Sequence, residues 1–240
     1  MNSVKTGFDD YDEIFGELSG GQLIVIGGRP AMGKSTFAMN IVHNVCMDKS
    51  KSVLVFSLEK EGYHYINRLI SLNPRDKVSE WKLDIDDTSG ITVEYIDNKI
   101  SSMKHISMVV IDYLQLVSVS EAEVDISYSG EVIHILRDLK MLAEKYEMPV
   151  IVLSQLSRDC EKRDDHRPVI SDILRSKKAK EIPDIIIMLY RDGYYRRVDV
   201  QDDQTAEIIV VKHTSVEELP RTIEMTYNAV AGGFSNRTRK

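Results

Sequence analysis

The sequence predicts an α/β domain with a mainly parallel β-sheet flanked by helices. Short apolar runs rich in Val and Ile recur along the chain, helical stripes lie between them, and a glycine-bearing loop joins the first run to the first stripe. Runs that are apolar without alternation are buried on both faces, as parallel strands covered by helices are. Alternation of such runs with helical patterns indicates an α/β layer architecture.

The first strand is QLIVIGG from Gln22. A helix is expected from Lys34 to Met47, where Phe37, Ala38, Ile41, Val42, Val45 and Cys46 form one stripe. SVLVFS from Ser52 is the second strand, with a helix expected after Glu61 and a weaker one over Val93 to Met103. SMVVID from Ser107 is the third strand. From Gly130 to Glu147, Val132, Ile135, Leu136, Leu139, Leu142, Ala143 and Tyr146 make a second strong stripe, closed by Pro149. PVIVLS from Pro149, DIIIMLY from Asp184 and EIIVVK from Glu207 complete the strands. The stretches Ser118–Ser129, Arg158–Lys180 and Gly193–Thr205 are less regular, and loops of that length inside a compact domain are where partner contacts are expected. With no internal repeat and no linker-like tract, residues 1–240 are expected to form one domain.

A hydrophobic share of 42% with 29% charged residues fits a soluble globular chain and excludes a disordered one. The balance of 31 basic against 38 acidic residues, a net −7, argues against a protein that coats nucleic acid through bulk charge. Charge is unevenly spread, however. Arg158–Lys180 holds eight basic and five acidic residues, a net +3 that leaves −10 for the rest of the chain. A basic loop on an acidic body is compatible with a polarised DNA-binding face and equally with a solvated surface loop. No apolar run approaches the ~20 residues of a membrane helix, and MNSVKTGFDD carries no secretory signal. Cys46 and Cys160 show no metal or redox spacing, so a reducing, cytoplasmic setting is expected.

The chemistry is concentrated in Gly28–Ser35, GRPAMGKS, which fits G-x-x-x-x-G-K-[ST] at every fixed position and lies between an expected strand and an expected helix. Gly28 and Gly33 let the backbone curl so that its N–H groups face a phosphate chain at a helix N-terminus. Lys34 supplies a point charge to the β- and γ-phosphates, and Ser35 a hydroxyl to Mg²⁺. Asp112 ends the third strand and is suited to the Mg²⁺ shell. Glu59 lies just past the second strand, able to act as general base on the attacking water. Gln155 lies past the fourth, where an amide could sense the γ-phosphate. Taken singly, Glu59 also fits a helix N-terminal acid and Gln155 a turn residue; their common position at the carboxyl ends of strands favours the functional reading.

These residues sit in segments that resemble the RecA-like ATPase domain of DnaB-family replicative helicases. The matching segments are TGFDDYDEIFGELSGGQLIVIGGRPAMGKSTFAMN, VLVFSLE, IDDTSGIT, VVIDYLQL, PVIVLSQLSRDCEKRDDHRPVISD, IIIMLYRD and AEIIVVK, in family order from Thr6 to Lys212; YN with Phe234 resembles the closing strand. The resemblance implies a RecA-like P-loop NTPase fold and a ring, usually a hexamer, with ATP and Mg²⁺ between subunits and single-stranded DNA in the channel. It assigns the phosphate loop to Gly28, Arg29, Pro30, Ala31, Met32, Gly33, Lys34, Ser35 and Thr36, the catalytic carboxylate to Glu59, metal coordination to Ser35 and Asp112, and γ-phosphate sensing to Gln155. Lys212 matches the lysine that reaches a neighbour's nucleotide.

The chain also departs from that family. Lys212 is followed by HTSVEE, so Thr214 stands where the family carries its trans arginine finger; Arg196, Arg197 and Arg221 are candidates to replace it, though the spacing selects none. The DNA-facing loop, usually D-L-R-E-S-G, is here DILRSKKAKEIPD from Asp172. It lacks the glutamate and the glycine and offers Arg175, Lys177, Lys178 and Lys180 instead. Only about fifty residues separate Glu59 from Asp112, and the sequence is expected to hold the motor domain without the N-terminal collar. Two functions follow: an ATP-dependent helicase-type motor on single-stranded DNA in replication, or an ATP-binding relative that loads, caps or regulates a replicative helicase and hydrolyses slowly. A recombinase-like or clock-like relative of the RecA fold shares the phosphate loop but fits IDYLQL and SLE less well.

Overall fold

The computed structural model describes residues 2–72, 74–119, 128–174, 176–196, 204–228 and 232–237. Among these, two sheets form. A short antiparallel pair joins β1 (Ser3–Val4) to β2 (Leu18–Ser19) around helix α1 (Asp9–Phe15). The main sheet has nine strands: β3 (Leu23–Gly28), β4 (Val53–Ser57), β5 (Leu83–Asp86), β6 (Met108–Asp112), β7 (Val150–Gln155), β8 (Ile185–Tyr190), β9 (Thr205–His213), β10 (Arg221–Asn228) and β11 (Gly233–Asn236). Their order is β11-β10-β9-β8-β3-β7-β6-β4-β5. The run from β8 to β5 is parallel and β9, β10 and β11 extend it antiparallel.

All six expected strands are present, and the expected helices appear as α2 (Lys34–Met47), α3 (Gly62–Leu72), α4 (Val93–Ser102) and α5 (Tyr128–Lys145). Short helices α6 (Lys177–Glu181) and α7 (Asp192–Arg196), and 3-10 turns at Arg158–Lys162 and Ile170–Asp172, occupy stretches whose sequence shows no periodicity. Three strands have weaker sequence signals. β5, reading LDID, carries acids that suit its place at the sheet edge. In β10 the buried residues Ile223, Met225 and Tyr227 alternate with exposed or half-buried ones, the period of a half-solvated antiparallel strand. β11 is four residues long. The last expected strand, EIIVVK, lies within β9 and is antiparallel to β8.

The parallel strands are apolar without alternation because each face meets helices. Ile24, Ile26, Val55, Val110, Ile151 and Leu153 pack with Phe37, Ile41 and Val45 of α2 on one side. Leu23, Val25, Phe56, Val109, Ile111 and Val152 pack with Ile96 and Ile100 of α4 and Leu136, Leu139 and Ala143 of α5 on the other. Among the described residues no helix is long and apolar enough to cross a membrane.

His213 closes β9 against Phe15, with ring centroids 5.3 Å apart, and its Nδ1 accepts the Ser215 N–H at 3.2 Å, which requires that nitrogen to be unprotonated. Burial pushes its pKa below the ordinary histidine value, against a smaller opposing pull from Asp184. An unfolded histidine takes its proton near pH ~6.5, whereas the folded one does so only further down. Below about pH 6.5 the unfolded chain therefore binds more protons, and stability falls as pH falls. Denaturant midpoints measured at pH 7.5 and 5.5 (chosen about one unit either side of that value) are expected to drop less in His213→Gln than in the unmodified chain.

Candidate functional site

The site lies at the carboxyl ends of the parallel strands, where open α/β sheets place their ligands. Register alignment brings its parts together: Gly28 of β3 pairs with Gln155 of β7, and Ser57 of β4 with Asp112 of β6. One more bond, from the Leu58 N–H to the Asp112 carbonyl at 2.8 Å, carries the β4–β6 ladder a residue further and sets Glu59 just beyond it.

Between β3 and α2 the chain turns through two left-handed residues, Ala31 (φ 63°) and Gly33 (φ 96°). That curl is the nest geometry in which successive N–H groups converge on an anion. The Phe37 N–H then bonds the Gly33 carbonyl at 2.8 Å and α2 begins, without a side-chain cap competing for its first N–H groups. Pro30, Ala31, Gly33, Lys34, Ser35, Thr36, Glu59 and Gln155 line one cavity of about 310 Å³, with Lys60, Arg68, Tyr113 and Tyr227 completing its wall. Met32 is instead buried under the loop.

Lys34 Nζ donates to the Arg29 carbonyl at 3.3 Å. Burial lowers its pKa below the ordinary lysine value; the carboxylates of Asp112 and Glu59 pull it back up and the Arg29 guanidinium pushes it further down. Asp112 is 3% exposed, and the Tyr65 hydroxyl donates to its Oδ2. Burial first, then the Asp112 charge, pushes the Tyr65 pKa well above the ordinary phenol value, while a hydrogen bond with Ser35 opposes the rise. Tyr65 thus remains a proton donor between the two oxygen groups expected to hold Mg²⁺. A hydroxyl and a buried carboxylate are the hard-oxygen donors Mg²⁺ takes, few in number because phosphates and water supply the rest.

Several residues to which the sequence assigns no role of their own hold the loop from outside. Arg191, from LYRD, donates to the Ala31 carbonyl at 3.3 Å, and its guanidinium carbon lies 3.8 Å from the Tyr227 ring centroid. Tyr227 packs edge-on to Phe234 at 4.9 Å, and Phe234 packs edge-on to Phe37 of α2 at 5.4 Å. The Phe234 N–H is fixed to Asn40 Oδ1 at 2.9 Å. Period-two burial in β10 could have marked Tyr227 as inward-facing; nothing local marks Arg191.

Gln155 lines a second, larger cavity of about 850 Å³, shared with Arg29, Gln115, Ser157, Arg158, Asp159, Asp172 and Leu174 among others. Gln115 Nε2 donates to Ser154 Oγ at 3.1 Å and its Oε1 accepts the Gln155 N–H at 3.4 Å. Of the expected DNA contacts, Lys177 and Lys178 are exposed and Lys180 half-buried on α6, and none of the three lines this cavity. Arg175 lies outside the described residues, as does Arg197.

Lys212 is not at this chain's own phosphate loop. It pairs with Ile186, which pairs with Val25, three residues before Gly28 on β3. Its Nζ donates to the carbonyls of Lys180 at 3.1 Å and Glu181 at 2.7 Å, and burial lowers its pKa. Thr214 is exposed at the turn after β9. Arg196 is paired with Asp192, and Arg221 with Glu218 at 2.8 Å.

A nine-stranded, mostly parallel sheet with a phosphate loop after β3 and carboxylates beyond β4 and β6 defines a RecA-like P-loop domain. The family model for the DnaB-like helicase C terminal domain matches residues 3–75 and 72–236, and the chain belongs to that family. The replicative DNA helicase DnaB of Geobacillus stearothermophilus is 35% identical over 238 aligned positions, covering 88% of this chain and 52% of that protein. The DnaB of Haemophilus influenzae is 36% identical, with 88% and 51% covered. The chain therefore spans about half the length of these relatives. Among solved structures, a DnaB-like replicative helicase, described with its interactions with primase, matches with a TM-score of 0.87 and 30% identity, covering 98% of this chain and 62% of that one. The RadB recombinase, at 18% identity and a TM-score of 0.69 over 98% of this chain and 99% of that one, shares the fold.

Proposed function

We propose that residues 1–240 act as one ATPase domain that binds and hydrolyses ATP with Mg²⁺ and drives a helicase-type motor on single-stranded DNA in replication, in the cytoplasm. The observation that carries this reading is the convergence of Lys34, Glu59 and Gln155 on one cavity, with Ser35 at the start of α2 joined through Tyr65 to Asp112 at the end of β6. The phosphate-loop N–H groups and Lys34 would bind the triphosphate. Ser35 and Asp112 would hold Mg²⁺, which neutralises charge developing on the phosphates. Glu59, exposed at the cavity mouth, takes the proton of the attacking water. Gln155, on the wall between the two cavities, reports the state of the γ-phosphate to the larger one.

A ring assembly is part of this reading. Lys212 lies on the far side of β8 from its own phosphate loop, so a role in nucleotide contact belongs to a neighbouring subunit's site. A second reading, a slow ATP-binding regulator of a replicative helicase or another replication protein, is favoured by Thr214. It offers no guanidinium at the exposed turn where the family carries its finger, and such a group is worth about 10³–10⁵ in rate.

ATP turnover with and without single-stranded DNA, with Lys34→Ala as the blank, tests the two. The motor reading expects turnover that DNA stimulates and that Lys34→Ala abolishes. Nucleotide binding without DNA-stimulated turnover would leave the regulator. Thr214→Arg is expected to raise turnover only under conditions where mass measurement detects an assembled ring.

A further inference from the structure

We propose that Arg29 and Glu161 form a positioning link through which nucleotide at the phosphate loop resets the loop 156–172, and through which that loop in turn sets the rate of turnover. Arg29 is the second residue of the phosphate loop, yet its side chain turns away from the phosphate cavity and lines the larger one. The Arg29 side chain is 9% exposed. Its Nε donates to Glu161 Oε1 at 2.9 Å and its Nη1 to the Leu156 carbonyl at 2.8 Å. The Leu156 N–H returns to the Gly28 carbonyl at 3.3 Å. At its other end, the Arg29 carbonyl holds the Lys34 ammonium.

One residue is therefore tied both to the cation a phosphate chain would recruit and to the segment following Gln155. A triphosphate that draws on Lys34 and on the loop's N–H groups re-seats the Arg29 peptide, and the guanidinium carries that movement to Glu161.

The receiving segment is braced to move as a unit. The Ser157 N–H bonds the Asp172 carbonyl at 2.8 Å, and the Asp172 carboxylate accepts the Val169 N–H at 2.7 Å and the Arg163 guanidinium. Arg163 Nη2 also donates to the Arg167 carbonyl at 2.7 Å. Arg158, exposed on this segment, faces the larger cavity. Glu161 is 42% exposed, so water could solvate its carboxylate without Arg29, and a pair of this kind contributes little to stability. Its value lies in where it connects.

This link rests on the proposed reading of the phosphate cavity as an ATP site and of the domain as a motor on single-stranded DNA. The test uses Glu161→Gln, which keeps the shape and removes the charge, and Glu161→Asp, which keeps the carboxylate. Backbone hydrogen exchange over 156–163 is measured with and without a non-hydrolysable ATP analogue, and turnover with and without single-stranded oligothymidylate. In the unmodified protein the analogue is expected to slow exchange over that segment. In Glu161→Gln the analogue still binds but exchange over 156–163 no longer responds, basal turnover stays within about twofold, and DNA stimulation falls about fivefold or more, the scale of an ordinary coupling between sites. Glu161→Asp recovers at least half of the response.

Unchanged nucleotide-dependent exchange and unchanged stimulation in Glu161→Gln would overturn the link, as would a parallel loss of basal turnover and melting temperature. If the unmodified protein responds to the analogue but not to DNA, the motor reading fails and the link stands on exchange alone. If it binds no analogue, both fall.

Discussion

Glu59→Gln is expected to lower ATP turnover by about 10²–10⁴-fold, the range contributed by a positioned general base, while nucleotide affinity changes by less than about threefold. The separation follows from where Glu59 sits. It is exposed and lines the phosphate cavity from beyond the end of the β4–β6 ladder, while the phosphate loop, Lys34 and Ser35 line the same cavity from the start of α2. An amide keeps the size and the hydrogen-bonding capacity of the side chain but cannot accept the proton. Its carboxylate also helps hold Lys34 charged against burial, so a small loss of phosphate affinity accompanies the loss of rate. Single-turnover rates and binding of a fluorescent ATP analogue, measured on the same preparation, separate the two effects. Loss of binding equal to the loss of rate would reassign Glu59 from the chemistry to the binding of nucleotide.

Gly33→Ala is expected to destabilise the fold by about 2–4 kcal/mol and to weaken nucleotide binding by more than about tenfold. Gly33 has φ 96°, a conformation that costs a side-chain-bearing residue about 1–3 kcal/mol. An added Cβ would also stand 2.9 Å from Phe234 Cζ and 3.4 Å from the Tyr227 ring. Neither ring is free to retreat. Phe234 is fixed through Asn40 and Phe37, and Tyr227 lies against the Arg191 guanidinium that holds the Ala31 carbonyl. Relief of the clash therefore moves the phosphate loop itself, adding to the strain. Urea unfolding measures the first effect and equilibrium binding of the ATP analogue the second. A variant with unchanged unfolding midpoint and unchanged affinity would mean that β11 yields freely and does not brace the loop.

These two positions also mark how far the sequence alone reaches. Glu59 and Gly33 are legible because each lies in a segment whose local spacing carries its own meaning: a carboxylate just past an apolar strand, a glycine just before a helix. The six apolar strands are legible for the same reason, since burial on both faces leaves continuous Val and Ile. What the sequence does not reveal depends on elements meeting across the sheet. Tyr65 and Leu69, four apart, are the buried residues of α3, so the stripe could have marked Tyr65 as inward. That its hydroxyl reaches Asp112 depends on the placement of α3 over the end of β6. Arg191 stands in LYRD without a role of its own in the sequence, because its partners Ala31 and Tyr227 lie 160 residues before and 36 residues after it. β5 carries Asp84 half-buried and Asp86 buried, and β10 carries Glu224 and threonines at exposed or half-buried positions, so their apolar content is too low to form a run.

The same limit explains Lys212 and the basic residues of α6. The spacing groups Lys177, Lys178 and Lys180 but says nothing of Lys212, which the structure joins to α6 through bonds from its Nζ to the Lys180 and Glu181 carbonyls. Their place relative to the phosphate loop is set by β9 running antiparallel beside β8, a pairing no local pattern announces.

The most direct measurement of the central claim, that the cavity bounded by the phosphate loop, Glu59 and Gln155 binds a nucleoside triphosphate, is titration of the purified protein with a fluorescent ATP analogue, with and without Mg²⁺. The expected result is saturable binding at one site per chain, tightened by Mg²⁺, lost in Lys34→Ala and retained in Glu59→Gln. Binding of equal strength in the unmodified protein and in Lys34→Ala would contradict it.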